Sequence, residues 1–250
     1  MTRVLIIPAA GVGSRLGSAV PKPLAAVNGR PMLDHLADLH AAFVDRVIVV
    51  AHPSFAAAVE QWGHPRGNVT VTEQAVRTGM LDAILLAAGA VAACGATSIW
   101  ITWADQIGVL PETLVRLAAL AGEEPRPALV LPTAVRAQPY IHFERDATGR
   151  ITALRQRREG DEMPAQGESD VGLFALTRET YDADLMEYAR DVAAGGATGE
   201  RNFLPFIPWL ARRRTVVTFP CTNPLEAVGI NTPAELDEVA AWLRSRSARA

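Results

Sequence analysis

The chain has 250 residues, 49% of them hydrophobic, with 24 basic against 27 acidic side chains and a formal net charge of −3. That length suits one large domain or two small ones, and the apolar content is enough for a sizeable core. The near-balanced charge removes the electrostatic argument for nucleic acid or an anionic membrane surface as partner. Cys94 and Cys221 lie far apart with neither metal nor redox spacing, so a reducing, cytoplasmic compartment is expected.

In chain order, RVLIIP (3–8) reads as a strand, and its short apolar run leads straight into a motif rather than into the profile of a secretory signal. RVIVVA (46–51), NVTVTE (68–73), SIWITW (98–103) and ALVLPT (128–133) are further β-branched runs. Between them the spacing predicts helices over 31–43, 53–62, 79–91 and 111–121, with Pro31, Pro53 and Pro111 at favoured starting positions. The apolar stretch AILLAAGAVAACGA (83–96) is too short to span a bilayer and is expected as a buried helix. Alternating strands and helices predict a parallel sheet covered on both faces, with strand C-termini along one edge, where ligands of such sheets bind.

The pattern changes after about residue 135. PYIHFERD and GRITALRQ read as a hairpin around Asp146 and Gly149, followed by a charged loop, RREGDEMPAQGESD (157–170). A strand is expected over 171–177, helical segments near 179–193 and 201–213, a late strand over 214–220 and a closing helix over 232–245. No linker separates the halves, so residues 1–250 are expected to form one α/β domain, with 135–250 a β-rich addition to the sheet of 1–134.

The segment with the most chemistry is IIPAAGVGSRLGSAVPKPL (6–24). It lacks the third glycine of a dinucleotide fingerprint and the Gly-Lys-Ser/Thr of a P-loop. A plain glycine-rich turn would account for part of it. Yet Ala9, Ala10, Gly11 and Gly13 would let backbone N–H groups approach a triphosphate, and Arg15 offers a planar multi-donor cation. Lys22 stands between Pro21 and Pro23, which restrict the backbone carrying its ammonium.

In its order and spacing, this motif, together with Pro21 to Leu24 and Gly29-Arg30-Pro31-Met32-Leu33, resembles the nucleotidylyltransferase family. That family includes sugar-1-phosphate uridylyl- and thymidylyltransferases and cytidylyltransferases of polyol phosphates. The uridylyltransferase half of bifunctional N-acetylglucosamine-1-phosphate enzymes is a particularly similar member. The resemblance implies a GT-A/Rossmann-like fold, mixed but mostly parallel, with residues 1–134 the NTP-binding half and 135–250 the acceptor-binding half. It implies transfer of NMP from an NTP to a phosphorylated acceptor with release of pyrophosphate, and Mg²⁺ (or Mn²⁺) as cofactor. Arg15, Lys22 and Asp105 would be catalytic. Pro8, Ala9, Ala10, Gly11, Gly13, Ser14, Arg15, Gln74, Thr78, Gly79 and Asp105 would contact the nucleotide. Asp105, in WADQIG, and Asn231, in EAVGIN, would hold the metal, although Asn231 read alone also suits a helix cap. Gln74 would face the base, or else sit in an exposed turn, and the spacing leaves the pyrimidine open.

On the acceptor side, Gln156 and Asp170 stand where the amino-sugar enzymes carry Glu and Asn, and Gly172 and Glu200 match family positions. A carboxylate at 170 accepts hydrogen bonds but cannot donate them, so N-acetylglucosamine-1-phosphate is not the expected acceptor. The charged loop suits either a lid or an acceptor-phosphate site using Arg157 or Arg158. The implied partners are an NTP and a phosphorylated small molecule, without nucleic acid or membrane, in a possible homo-oligomer. A GT-A glycosyltransferase and a non-catalytic nucleotide sensor stand as rival readings.

Overall fold

The structure, a computed structural model, describes residues 2–11, 16 and 20–247. Gly13, Ser14 and Arg15 of the expected phosphate loop lie outside the described residues. Strand β1 (Arg3–Pro8) is followed by a small hairpin of β2 (Ala26–Val27) and β3 (Arg30–Pro31), then α1 (Met32–His40) and β4 (Arg46–Ala51). Next come α2 (Pro53–Gly63), β5 (Val69–Glu73), α3 (Met80–Leu86), α4 (Ala88–Ala93), β6 (Ser98–Thr102) and α5 (Pro111–Leu120). The chain continues with β7 (Leu129–Ala137), the hairpin β8 (Ile141–Arg145) and β9 (Ile151–Gln156), β10 (Gln166–Asp170) and β11 (Leu173–Thr177). It closes with a π-helical turn (Thr180–Asp184), α6 (Leu185–Asp191), α7 (Phe206–Ala211), β12 (Val216–Pro220) and α8 (Pro233–Ser247).

One mixed, mostly parallel sheet runs in the order β10-β7-β11-β6-β1-β4-β5, with β12 joined to β7. β1 pairs in parallel with β4 and β6, β4 with β5, and β12 with β7, whereas β11 runs antiparallel between β6 and β7. Strand residues alternate between two cores, as a pleat covered on both faces requires. Leu5, Ile7, Val47, Val49 and Trp100 face one side with α1 and α2, while Val4, Ile6, Ile48, Val50 and Ile101 face the other with α3. The chain goes from β1 outward to β4 and β5 and then returns to the opposite side of β1 as β6. That reversal opens a crevice at the C-terminal ends of β1 and β6, where ligands of open α/β sheets bind.

Several expected elements differ from those observed. The helix expected over 79–91 is two short helices, and Leu86 is 45% exposed, so the 83–96 stretch is half-buried rather than buried. The last five residues of the expected charged loop form β10, paired antiparallel with β7 at the sheet edge. An edge strand needs pairing on one side only, which a polar run such as QGESD tolerates. The helix expected over 201–213 shrinks to Phe206–Ala211, behind Pro205. Among the described residues, no helix is long and apolar enough to cross a membrane.

Candidate active site

A cavity of about 410 Å³ lies at the crevice beside β1 and β6. The segment after β1 supplies Pro8, Ala9, Ala10 and Gly11, and the turn after β6 supplies Trp103, Ala104 and Asp105. Lys22, Pro23, Gln74, Arg77, Gly79, Met80, Arg158, Glu200 and Asn231 complete most of the lining. Ala9 is fixed by its N–H donating to the Val50 carbonyl at 2.8 Å, which holds the start of the loop against the end of β4.

Lys22 opens a single 3₁₀ turn, Lys22–Leu24, that Pro21 enters at φ −53° and that buried Pro23 anchors. Its ammonium donates to Asp105 Oδ2 and, at 3.0 Å, to Asn231 Oδ1. Both members of the ion pair are largely shielded, at 14% and 15% side-chain exposure. Three segments distant in sequence thus converge on one cation. The Asp105 turn is itself laced to the late segment: the Ile230 N–H donates to the Asp105 carbonyl at 3.3 Å, and Gln106 Nε2 donates to the Glu226 carbonyl at 2.5 Å. Glu226, fully buried, accepts from the backbone N–H groups of Leu110, Thr222 and Asn223 and from the Thr113 hydroxyl. Asn231 is not the helix cap: the Thr232 hydroxyl accepts from the Glu235 N–H while Glu235 Oε2 accepts from the N–H groups of Asn231 and Thr232. That reciprocal pair caps α8 and leaves the Asn231 amide oxygen aimed at Lys22.

A carboxylate and an amide oxygen meeting at one cation are hard donors of the type Mg²⁺ or Mn²⁺ takes. Among the described residues no group of 3 or more His, Cys, Asp or Glu side chains gathers. An ion held by Asp105 and Asn231 would therefore complete its shell with water and phosphate oxygens.

The base-side segment is built for close packing. Gln74 is buried and donates from Nε2 to the Gly79 carbonyl at 3.2 Å, which excludes the exposed-turn alternative. Gly79 adopts φ +122°, and a Cβ there would collide with the backbone of Arg201, so the neighbouring chain itself demands glycine. Thr78 is exposed and outside the cavity lining; its carbonyl accepts from the Arg201 N–H at 2.7 Å.

The residues expected on the acceptor side separate into two groups. Arg158 and Glu200 line the cavity and face each other at 3.3 Å. Gln156, Arg157, Asp170 and Gly172 are not among its lining. Arg157 lies over the Tyr140 ring and donates to the Gln138 carbonyl, while the Gln156 N–H donates to Asp161. Asp170 is buried and turned onto the Gly172 N–H at 2.9 Å, and burial pushes its carboxyl up to about 6. Trp103, Arg77 and Met80 line the cavity without having been singled out from the sequence. Trp103 directly follows β6 at the C-terminal sheet edge, and that position was the available signal.

A family model for the MobA-like NTP transferase domain matches residues 5–170. The chain is 30% identical over 254 residues to the "Bifunctional protein GlmU" of Solibacter usitatus, covering 98% of this chain and 52% of that protein. It is 29% identical over 257 residues to the protein of the same name from Pelotomaculum thermopropionicum, covering 98% and 53%. The counterpart from Acidithiobacillus ferrooxidans is 30% identical over 239 residues, covering 93% and 50%. The chain therefore spans about half the length of the curated relatives it matches.

Proposed function

Since the chain belongs to the family of MobA-like NTP transferase domains, we propose that it transfers a nucleotidyl group from an NTP to a phosphorylated small-molecule acceptor, a sugar phosphate or a related ester, releasing pyrophosphate. The observation that carries this reading is the Lys22 ammonium held between Asp105 and Asn231 beside the Pro8–Gly11 backbone. In the proposed reaction a phosphate oxygen of the acceptor attacks the α-phosphorus in line and the β-phosphate oxygen leaves with pyrophosphate. The nucleophile arrives ionised, so the chain needs no general base, and its work is positioning and charge neutralisation.

The proposed roles are supported by position at the cavity. The backbone of Ala9, Ala10 and Gly11 approaches the phosphates; Gly13, Ser14 and Arg15, outside the described residues, are assigned to the phosphates on the family pattern alone. Gln74 and Gly79 bound the base side. Lys22 neutralises charge developing at the α-phosphate, and its ammonium must exchange Asp105 and Asn231 for phosphate oxygens to do so. Asp105 and Asn231 are then the residues that would hold Mg²⁺ or Mn²⁺; when bound, the ion supplies Lewis-acid polarisation of the α-phosphate. Arg158 and Glu200 would meet the acceptor's phosphate and hydroxyl groups, with Gln156 and Arg157 on the approach to Arg158 and Gly172 packed against Trp103. Because Asp170 is committed to the Gly172 N–H, discrimination against an acetamido group would fall to the Arg158–Glu200 rim.

The test is pyrophosphate release with four NTPs against N-acetylglucosamine-1-phosphate, glucose-1-phosphate and a polyol phosphate. Release that requires both substrates supports the proposal. An NDP-sugar consumed without pyrophosphate would indicate a glycosyltransferase, and nucleotide binding without turnover a sensor. A wide margin for the amino sugar would overturn the expectation that it is not the acceptor.

A further inference from the structure

The Arg158–Glu200 pair at the cavity rim is built on a separate clasp one residue away. Glu159, half-buried, reaches the loop of residues 195–202 and bonds to it through both carboxylate oxygens. Its Oε2 accepts from the N–H groups of Ala197 at 3.1 Å and Thr198 at 3.4 Å. Its Oε1 accepts from the Thr198 hydroxyl at 2.5 Å and from Asn202 Nδ2 at 2.9 Å. The Thr198 hydroxyl first, and then the Ala197 N–H, hold the carboxyl below the usual carboxylate range. A Cβ at Gly195 would meet this carboxylate, so the Glu159 side chain packs directly against the Gly195 backbone. The loop also binds itself: the Gly195 N–H donates to the Glu200 carbonyl at 2.9 Å and the Gly199 N–H to the Gly195 carbonyl at 2.8 Å.

The other flank of the loop is tied to the nucleotide side. The Arg201 N–H donates to the Thr78 carbonyl at 2.7 Å, and its carbonyl accepts from the Leu81 N–H at 3.1 Å. The Arg201 guanidinium pairs with Asp82. Glu200 therefore sits between an anchor on the base-side turn and a clasp on the turn that carries Arg158. The acid in that clasp contributes nothing to the cavity lining itself.

We propose that Glu159 is a positioning residue for the acceptor: by gathering the 195–202 loop it holds Glu200 opposite Arg158, forming a subsite in which Arg158 receives the acceptor's phosphate and Glu200 accepts from its hydroxyls. This rests on the nucleotidyl-transfer reading above. Removing the clasp frees one flank of the loop while the ladder to Thr78 and Leu81 remains, so the nucleotide side keeps its geometry. Glu159→Ala should raise the acceptor KM by about tenfold or more, the size carried by lost hydrogen bonds to a charged group. The NTP KM and kcat should stay near wild type, the signature of lost binding rather than lost transition-state stabilisation. Glu159→Gln keeps the shape but turns a donor toward donors, so it should fall between wild type and Glu159→Ala. Glu162→Ala, at an exposed carboxylate of the same segment, should leave both KM values unchanged.

Amide hydrogen exchange supplies a readout independent of activity. Exchange at Ala197 and Thr198 should quicken in both Glu159 variants and stay unchanged in Glu162→Ala. If Glu159→Ala fails to fold, the Gln variant decides. An unchanged acceptor KM in a folded Glu159 variant, an equal rise in both KM values, or unchanged exchange overturns the positioning role. Wild-type protein that releases no pyrophosphate with any substrate pair instead overturns the functional reading on which it rests, even where the exchange result holds.

Discussion

Lys22 is where a local sequence feature and a long-range arrangement meet. The two prolines that brace it are visible in the sequence, and its turn is held by backbone bonds from the Leu24 N–H to the Pro21 carbonyl and the Ala25 N–H to the Lys22 carbonyl. Those bonds do not involve the ammonium. Lys22→Ala should therefore lower kcat by about 10²-fold or more, as loss of one preorganised transition-state contact does, while the fold survives with a lower melting temperature because Asp105 loses its shielded counter-charge. Normal turnover would remove Lys22 from the mechanism. Asp170 shows the opposite case, a residue whose setting the sequence conceals. In the run ESDVG it reads as an acceptor contact, but its cross-strand partner Thr133 and the turn at Gly172 enclose it. Burial, with a smaller contribution from the Asp105 charge, raises its carboxyl from 3.8 to about 6. Folded protein then retains a proton that unfolded chain gives up, so this stabilising contribution is complete below the unfolded value and is lost as pH rises through about 6. The melting temperature of wild type minus that of Asp170→Asn should fall between about pH 4.5 and about pH 7.5. A difference that stays flat with pH would show that Asp170 does not carry this shift.

The elements fall into those set by local pattern and those set by context. β1, β4, β6 and α2 begin or end where β-branched runs and N1 prolines indicate, because pattern, propensity and burial agree there. β10 escaped reading because an edge strand paired on one side needs no apolar alternation. The cap of α8 is legible as T-P-A-E at Thr232 to Glu235, one residue after Asn231. Glu226 illustrates what only the assembled structure reveals. From sequence it is part of a late motif; in the fold it is a fully buried acid that fastens the 222–226 turn to the start of α5. Glu226→Ala would leave the buried Thr113 hydroxyl and the half-buried N–H groups of Leu110 and Asn223 without their acceptor. Each unsatisfied buried donor costs about 1–3 kcal/mol. The variant should lose about 3 kcal/mol or more and several degrees of melting temperature. It should also lower the apparent affinity for metal, because the same turn leads to Asn231. Calorimetry of the variant with and without Mn²⁺ separates the two effects, and a melt equal to wild type would contradict the bracing role.

At the scale of the molecule, the proposed division into an NTP-binding half and an acceptor-binding half concerns ligand placement, not how the chain is held together. Residue 134 falls inside β7, and β11 from the second half lies between β6 and β7 from the first. β11 hydrogen-bonds to both neighbours, with Phe174 opposite Ile101 and Ala175 opposite both Trp100 and Val130. Neither half can therefore complete a core. A fragment ending at residue 134 would expose β6 as an open edge and uncover the face that buries Ile99 and Ile101 against Phe174 and Leu176. An exposed, flat, apolar strand edge is a template for aggregation. The fragment should be aggregated or lack a cooperative melt, whereas the whole chain should unfold in one main transition that shifts upward with NTP and Mg²⁺, by about 2.7 kcal/mol at a ligand concentration 100 times its Kd. Far-ultraviolet circular dichroism and size-exclusion chromatography of the two proteins make the comparison. A monomeric fragment with a sharp, reversible melt would show that the first half carries an independent core, and the continuous sheet would then be a contact between two folding units rather than the body of one.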